Sequence, residues 1–266
     1  MLKSYFIDGD KGGGGKSLFT RAFVHYYLSL PADKRPKLLV IDADTTNPDV
    51  CGKGGLTKGG SVEIADLFDL SDSDKWADFG DDLQKGGYLN TQDEVRLIVN
   101  LPAGVGPRAF DSSKAVTSEL MRAINAVPVW LINCDKDGIT ALEYRHRAWP
   151  ARYAVGAVVR NEFFGTPDQF WQWQESTLRK SIVRDDGSAW IEARLPKLNR
   201  DMTIAIGRRP FHEVYAHGLT GAEPLGFGSR LVLDAFFRAT KKDFARIDAL
   251  IPSTFGSNDN DEGEEE

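Results

Sequence analysis

The residues best suited to chemistry lie together near the N-terminus. Residues 10–17 read Asp-Lys-Gly-Gly-Gly-Gly-Lys-Ser. Glycine frees the backbone to take unusual dihedrals and to approach a ligand closely; the four glycines are Gly12, Gly13, Gly14 and Gly15. At the start of a helix, the N–H groups of such a segment form a nest that binds an anion. The segment is therefore typical of a phosphate-binding loop.

Two side chains at the end of this loop complete a nucleotide site. Lys16 is placed to reach the β- and γ-phosphates, and the Ser17 hydroxyl is placed to coordinate Mg²⁺. The alternative is a glycine-rich turn with a chance Lys-Ser. Glycine makes up only about 7% of average sequence, so this combination rarely arises by chance. The loop predicts binding of ATP with Mg²⁺.

The loop departs from the strict pattern G-x-x-x-x-G-K-S at one position, because Asp10 stands where the first glycine belongs. What remains, with the additional Lys11, resembles the deviant Walker A signature of the ParA/MinD family of ATPases. In that family the early lysine reaches across a dimer interface to the partner's nucleotide. The resemblance implies an ATP-dependent homodimer in which Lys11 contributes to nucleotide binding and catalysis. Taken alone, Lys11 is a solvated loop lysine.

A second segment extends the resemblance. Residues 42–48 read Asp-Ala-Asp-Thr-Thr-Asn-Pro after a predicted strand and are similar to the family's first switch. In the family, the first Asp lies near the metal and the second orients the attacking water, which implies these roles for Asp42 and Asp44. Phosphoryl transfer needs such positioning and charge stabilisation rather than covalent chemistry. The alternative is a strand end followed by helix-capping acids.

A third segment, residues 100–104, reads Asn-Leu-Pro-Ala-Gly and is similar to the family's Asp-x-Pro-Ala-Gly. Asn100 replaces the aspartate. Its amide can hold a water but brings no negative charge to the magnesium shell. We therefore expect Ser17, Asp42 and Asn100 to form the metal site, with binding that depends mainly on Ser17 and Asp42, and hydrolysis to be slow. The alternative is a tight turn without a role at the metal.

Two later positions match the family more weakly. Asn161 ends a predicted strand where related proteins often place an asparagine against the adenine. Pro196 lies in residues 194–198, which resemble the late loop that closes over the base. The resemblance implies that both contact the nucleotide, whereas Asn161 taken alone could simply cap a turn.

Short apolar runs alternate with helical patterns along the chain. Six strands are predicted near residues 5–7, 38–41, 95–99, 127–132, 155–159 and 189–191. Because these runs are continuous rather than alternating, the strands are buried on both faces. The fold class is therefore α/β, a mostly parallel sheet flanked by helices on both faces. Ligands of such sheets bind at the carboxyl edge. Residues 70–90 predict only a short helix around Trp76 and then a loop.

Composition indicates the domain organisation and the compartment. With 266 residues and neither a second core nor an internal repeat, one domain over residues 1–256 is the economical interpretation. The net charge of −6 comes from six acids in residues 257–266, a segment too polar to be buried and expected to be a disordered tail. No apolar run reaches the roughly 18 residues of a membrane span, and no signal peptide is evident. We expect a cytoplasmic protein without membrane association.

The last predicted helix, about residues 229–250, is amphipathic, and its apolar face is expected to pack on the domain. The opposite face carries the basic residues Arg238, Lys241, Lys242 and Arg246, with Arg208 and Arg209 expected nearby. Several ParA relatives bind nucleoid DNA through late basic residues, so the resemblance implies weak, non-specific DNA binding here. A merely solvated helix face is the alternative.

Three classes of function fit these residues. The first is a ParA-like ATPase switch for partition of a plasmid, or for positioning or transfer of DNA or another large cargo, with an unidentified adaptor or stimulating protein. The second is a metabolic ATP-dependent phosphoryl-transfer enzyme or synthetase on the same scaffold. It needs anion-binding side chains near the γ-phosphate, for which Arg108 and Lys114 are candidates. The third is a module that binds ATP without turnover, which Asn100 suggests.

Overall fold

The computed structural model describes residues 1–70, 73–103, 114–148, 155–184, 189–219 and 223–250. A seven-stranded sheet runs through its centre, and every pair of neighbouring strands is parallel. The strands are β1 (Leu2–Gly9), β2 (Lys37–Asp42), β3 (Val62–Leu67), β4 (Val95–Asn100), β5 (Ala126–Ile132), β6 (Gly156–Asn161) and β7 (Trp190–Leu195). They lie in the order β3-β2-β4-β1-β5-β6-β7, so β1 is central.

Helices cover both faces of the sheet. They are α1 (Lys16–Leu28), α2 (Ser73–Lys85), α3 (Lys114–Ala123), α4 (Lys136–Ala148), α5 (Trp171–Glu175), α6 (Thr177–Ile182), α7 (Arg200–Ile206), α8 (Phe211–His217) and α9 (Phe227–Asp248). In β1, Tyr5 and Ile7 pack with α1 and α9, while Phe6 packs with α2 on the other face. All eight residues of β1 are buried. The predicted α/β class, a parallel sheet between two helical layers, is confirmed.

Two elements differ from the sequence prediction. β3 was not predicted, and it lies at the edge of the sheet, where only its first residue, Val62, is fully buried. Its sequence mixes acidic and apolar residues because an edge strand is half solvated, so it lacks the continuous apolar run of the other strands. α2 is longer than the short helix predicted around Trp76, since it spans 13 residues and buries Phe79 and Leu83 as well.

A buried polar cluster fixes the end of α9 to the amino edge of the sheet. The Asp248 carboxylate accepts hydrogen bonds from the hydroxyls of Tyr5 (2.8 Å) and Tyr27 (2.9 Å) and from Arg96 Nε (2.8 Å). Burial favours the neutral acid, but the charge of Arg96 and the hydrogen bonds outweigh it and hold the pKa of Asp248 below its usual value. The last helix is thereby fastened to β1, α1 and β4.

Replacing Asp248 by alanine is expected to lower the free energy of unfolding by about 3 kcal/mol at pH 7, because it leaves Arg96 without its main partner in a mostly buried site. A carboxylate whose pKa is lowered by folding stabilises above its unfolded pKa of about 3.9, and the effect is lost as the pH falls through the folded value. The difference from wild type in urea unfolding should therefore shrink at pH 3. Asp248→Asn, which keeps a hydrogen-bond acceptor, is the control. Equal stability of Asp248→Ala and wild type at pH 7 would contradict this assignment.

Several predictions fall outside the described residues. Arg108, the predicted tail at 257–266 and the side chain of Lys114 are among them, so the division at residue 256 stays a prediction. Within the part of the chain that the structure describes, none of the helices combines the length and hydrophobicity that crossing a bilayer requires.

Candidate functional site

The glycine loop lies where a phosphate site is expected, between the last residue of the central strand and the first residue of α1. Gly13 and Gly15 have φ of +76° and +95°, a left-handed conformation that favours glycine. Gly15 is the N-cap of α1, and its carbonyl accepts the first helical hydrogen bond, from Phe19 N at 2.9 Å. A Cβ at Gly15 would collide with the amide of Asn161. The conformation of the loop therefore favours glycine at both positions, and at Gly15 it leaves no room for a side chain.

Lys16, the second lysine of the loop, is buried. Lys16 is only 7% exposed, and its Nζ lies 3.4 Å from the Lys11 carbonyl oxygen. Burial lowers the pKa of Lys16 from its usual 10.5, against the attraction of Asp8, Asp44 and Asp10. A buried ammonium at the N-terminus of a helix is suited to binding an anion. Ser17 follows it in the first turn of α1, half-buried.

The carboxyl ends of β2 and β4 bring Asp42 and Asn100 together. Asn100 Nδ2 donates to Asp42 Oδ1 at 2.8 Å, and Thr20 Oγ1 of α1 donates to Asn100 Oδ1 at 3.3 Å. The other oxygen of Asp42 accepts from the backbone N–H groups of Val50 (2.8 Å) and Cys51 (3.3 Å). Asp42 therefore holds residues 50–51 of the following loop in place, and a metal would have to share its oxygens with these donors. Their predicted role as metal ligands stays a prediction.

Asp44 lies two residues beyond the end of β2, on the same edge as the glycine loop. Its Oδ1 accepts from Asn47 N at 3.0 Å, which closes a turn of the loop, and its own N–H lies 3.3 Å from Asp42 Oδ1. The side chain is half-buried, and its charge acts on Lys16. Asp44 is thus a carboxylate whose charge acts on Lys16 and whose surface is partly open to solvent.

Lys11 points out of the loop toward the first turn of α4 and the residue before it. Its Nζ lies 2.7 Å from Asp137 Oδ2 and 3.4 Å from Asp135 Oδ2, and the hydrogen bond to Asp137 raises the pKa of Lys11. Exposed ion pairs contribute little to stability, so a stronger anion can displace these carboxylates. Asp135 and Asp137 were missed in the sequence, although acids directly after a predicted strand are a usable signal.

Asn161 ends β6 and braces the glycine loop. Its Nδ2 donates to the Gly14 carbonyl at 2.9 Å, and its Oδ1 accepts from Phe163 N at 3.1 Å. The side chain is 3% exposed. Pro196 follows β7 and is half-buried. Asn161 therefore reaches the loop directly, while the predicted contact of Asn161 and Pro196 with a base stays a prediction.

A buried ion pair at the base of the loop was also missed. Asp8 Oδ2 lies 2.8 Å from an Nη of Arg145 in α4, and both side chains are 4% exposed. The other oxygen of Asp8 accepts from Gly9 N at 2.8 Å. The signal in the sequence is an acid that directly follows an apolar run, shortly before the glycine loop.

The basic face of α9 is smaller than predicted. Arg238, Lys241 and Lys242 are exposed, and none of them forms an ion pair with another described residue. Arg246 instead turns toward the sheet, where it donates to the Glu192 carbonyl at 2.8 Å. The free cations of this face are therefore the first three, which we call the basic stripe.

The two arginines expected near this helix are also engaged. Arg208 pairs with Asp49 at 2.6 Å. Arg209 donates to the carbonyl oxygens of Ala205 and Gly218, each at 2.8 Å. Arg209 therefore joins the ends of α7 and α8, and both arginines have roles within the fold.

Among the described residues, no group of three or more His, Cys, Asp or Glu side chains could hold a metal ion by itself. This does not conflict with a magnesium site at a phosphate loop, because Mg²⁺ takes most of its oxygens from water and from substrate phosphates. Ser17 at the start of α1 is suitably placed for one such ligand.

The chain is 31% identical to Protein MobD of Acidithiobacillus ferrooxidans over 193 residues, which cover 71% of this chain and 77% of that protein. No protein-family model matches. Among solved structures, the MinD cell division protein of Aquifex aeolicus is similar at 16% identity and TM-score 0.47, over 89% of this chain and 96% of that chain. A structure of FlhF complexed with GMPPNP and Mg²⁺ is similar at 12% identity and TM-score 0.39, over 74% and 67%.

The glycine loop, its place between the central strand and α1, and the parallel sheet around it are those of a P-loop NTPase. The chain belongs to the family of the MobD protein.

Proposed function

We propose that the protein binds ATP with Mg²⁺ at the glycine loop, hydrolyses it slowly, and uses the nucleotide to control its own dimerisation. The buried Lys16 at the end of the glycine loop carries this proposal, because a desolvated ammonium at a helix N-terminus is strongly stabilised by a polyphosphate. Asp44 supplies the carboxylate that orients the attacking water. Slow hydrolysis follows from Asn100, which brings no charge to the metal.

Product analysis tests this function against the alternative of a phosphoryl-transfer enzyme or synthetase. The protein is incubated with ATP and Mg²⁺, alone and with a pool of small metabolites, and GTP is tested as a competitor. A switch ATPase releases free phosphate without any second substrate. A phosphorylated small molecule would instead favour the metabolic enzyme, and no product at all would indicate a module that only binds nucleotide.

Dimerisation is supported by the position of Lys11. It lies on the carboxyl edge of the sheet in an exposed pair with Asp135 and Asp137, so its ammonium can leave them for a phosphate of a second subunit. Phe163 and Phe164 extend from the loop after β6 on the same edge and are 42% and 36% exposed. Exposed aromatic side chains are enriched at protein interfaces.

Lys11→Ala is expected to abolish the ATP-dependent dimer. A ligand stabilises whichever state it contacts more, so a lysine that binds the nucleotide of the other subunit links nucleotide to association. Sedimentation velocity with and without a slowly hydrolysed ATP analogue measures this. Lys136→Ala, at an exposed lysine of the same sheet edge, is the matched control. A dimer that ignores both nucleotide and the Lys11 substitution would rule out the proposed arrangement.

The basic stripe of α9 is proposed to bind DNA weakly and without sequence preference, as part of a role in partition, positioning or transfer. Lys241→Glu with Lys242→Glu is expected to lose this binding, and deletion of residues 257–266 is expected to strengthen it at low salt, where charge screening is weakest. The control variant is Lys53→Glu with Lys58→Glu, because it makes the same charge change at exposed lysines outside the basic stripe. Mobility shifts on unrelated duplexes, with ATP and at several salt concentrations, provide the measurement. Failure of the tail-deleted protein to bind at low salt would remove DNA from the proposal.

A switch that hydrolyses slowly by itself needs a stimulating partner, and we propose an adaptor protein that links the dimer to its cargo. We also propose that the protein acts in the cytoplasm, where ATP is available.

A further inference from the structure

The buried ion pair between β1 and α4 is not explained by packing alone. Asp8 is the residue before the last of β1, three positions ahead of Lys11, and Arg145 lies in the last turn of α4. We propose that Arg145 is a positioning residue for the phosphate-binding lysine: it holds the Asp8 carboxylate in an ion pair and so prevents that carboxylate from competing with bound phosphate for Lys16. This inference rests on the proposed nucleotide site.

The Asp8 carboxylate is fully engaged by its hydrogen-bond partners. Both oxygens of Asp8 are occupied, one by Gly9 N at 2.8 Å and the other by an Nη of Arg145 at 2.8 Å. Each side chain of the pair is 4% exposed. Water therefore cannot replace Arg145, and a buried carboxylate that loses its partner must find another cation or accept a proton.

Lys16 is a cation on which the Asp8 charge already acts. Among the carboxylates that attract Lys16, Asp8 acts most strongly, ahead of Asp44 and Asp10. An Asp8 carboxylate released from Arg145 would draw the Lys16 ammonium toward the strand and away from the glycine loop. Phosphate would then have to compete with a carboxylate of the same protein.

The helix that supplies Arg145 also helps to hold Lys11. Asp135, directly before α4, and Asp137, in its first turn, both pair with Lys11. α4 therefore supports the loop at two points, through Arg145 at its base and through the two acids at its outer side. This placement suits a role of α4 in loop geometry rather than in general packing.

Titration with a fluorescent ATP analogue and Mg²⁺ tests the inference with three variants of the full chain. Arg145→Met is expected to bind at least about tenfold more weakly than wild type, because Asp8 is left free to pair with Lys16. Asp8→Asn is expected to bind within about threefold of wild type, since it removes the competing charge. The double variant Asp8→Asn, Arg145→Met is expected to return to within about threefold of wild type. Thermal unfolding of each variant is measured alongside.

The asymmetry between the single variants is the informative result. A purely structural ion pair predicts equal losses in Asp8→Asn and Arg145→Met, and that outcome would overturn the proposal. Wild-type affinity in Arg145→Met would do the same. If Arg145→Met does not fold, the uncharged double variant decides, because weakened binding with a native melting curve would contradict the proposed competition. Absence of binding by wild type itself would reject the nucleotide site rather than the role of Arg145.

Discussion

Replacing Asp44 by alanine is expected to leave ATP binding intact and to slow phosphate release by about 10²-fold or more. Asp44 lies on the loop after β2, its charge reaches Lys16, and part of its surface is open to solvent. A group that orients a water in the transition state but does not contact the bound nucleotide changes turnover and not affinity. Loss of such a positioned group commonly costs a factor of about 10²–10⁴.

Two further variants separate chemistry from loop structure. Asp44→Asn keeps an oxygen that can accept from Asn47 N, so it preserves the turn while removing the negative charge, and it is expected to be as slow as the alanine variant. Asp49→Ala removes a half-buried acid of the same segment that pairs with Arg208, and it is expected to hydrolyse at the wild-type rate. Full turnover by Asp44→Asn would assign Asp44 a structural role and move the orienting function to another residue.

Much of the fold was readable from the sequence because most strands are buried on both faces. β1 and β5 are buried at every position, and such runs stand out against the polar loops. β3 was not readable, since an edge strand mixes polar with apolar residues and pairs on one side only. The length of α2 was underestimated because its acidic outer face masked the spacing of Trp76, Phe79 and Leu83.

The sequence indicates those residues of the candidate site that are consecutive in the chain. It does not indicate the contacts between residues that are far apart in the chain. The glycines, Lys16 and Ser17 are consecutive, so their joint chemistry is visible in one stretch of sequence. The pair of Asp8 with Arg145 joins residues 137 positions apart, and a single sequence does not indicate such a contact. The bonds of Asp42 to Val50 and Cys51 depend on the path of a loop, which residue types alone do not determine.

Lys16→Ala is expected to weaken ATP binding by about 100-fold or more. The ammonium is 7% exposed, so its attraction for phosphate is little screened by water. Removing one partner of a desolvated charge pair typically costs about 2–5 kcal/mol, which corresponds to roughly 30-fold to several thousand-fold in affinity. Lys34→Ala, at an exposed lysine beyond the end of α1, is the matched control and is expected to bind like wild type.

Equilibrium titration of wild type and Lys16→Ala with a fluorescent ATP analogue and Mg²⁺ tests the central claim most directly. The account predicts saturable binding by wild type that unlabelled ATP reverses, and a loss of that binding in Lys16→Ala while its unfolding curve remains native. Wild-type-like affinity in Lys16→Ala would contradict the assignment of the glycine loop as the nucleotide site.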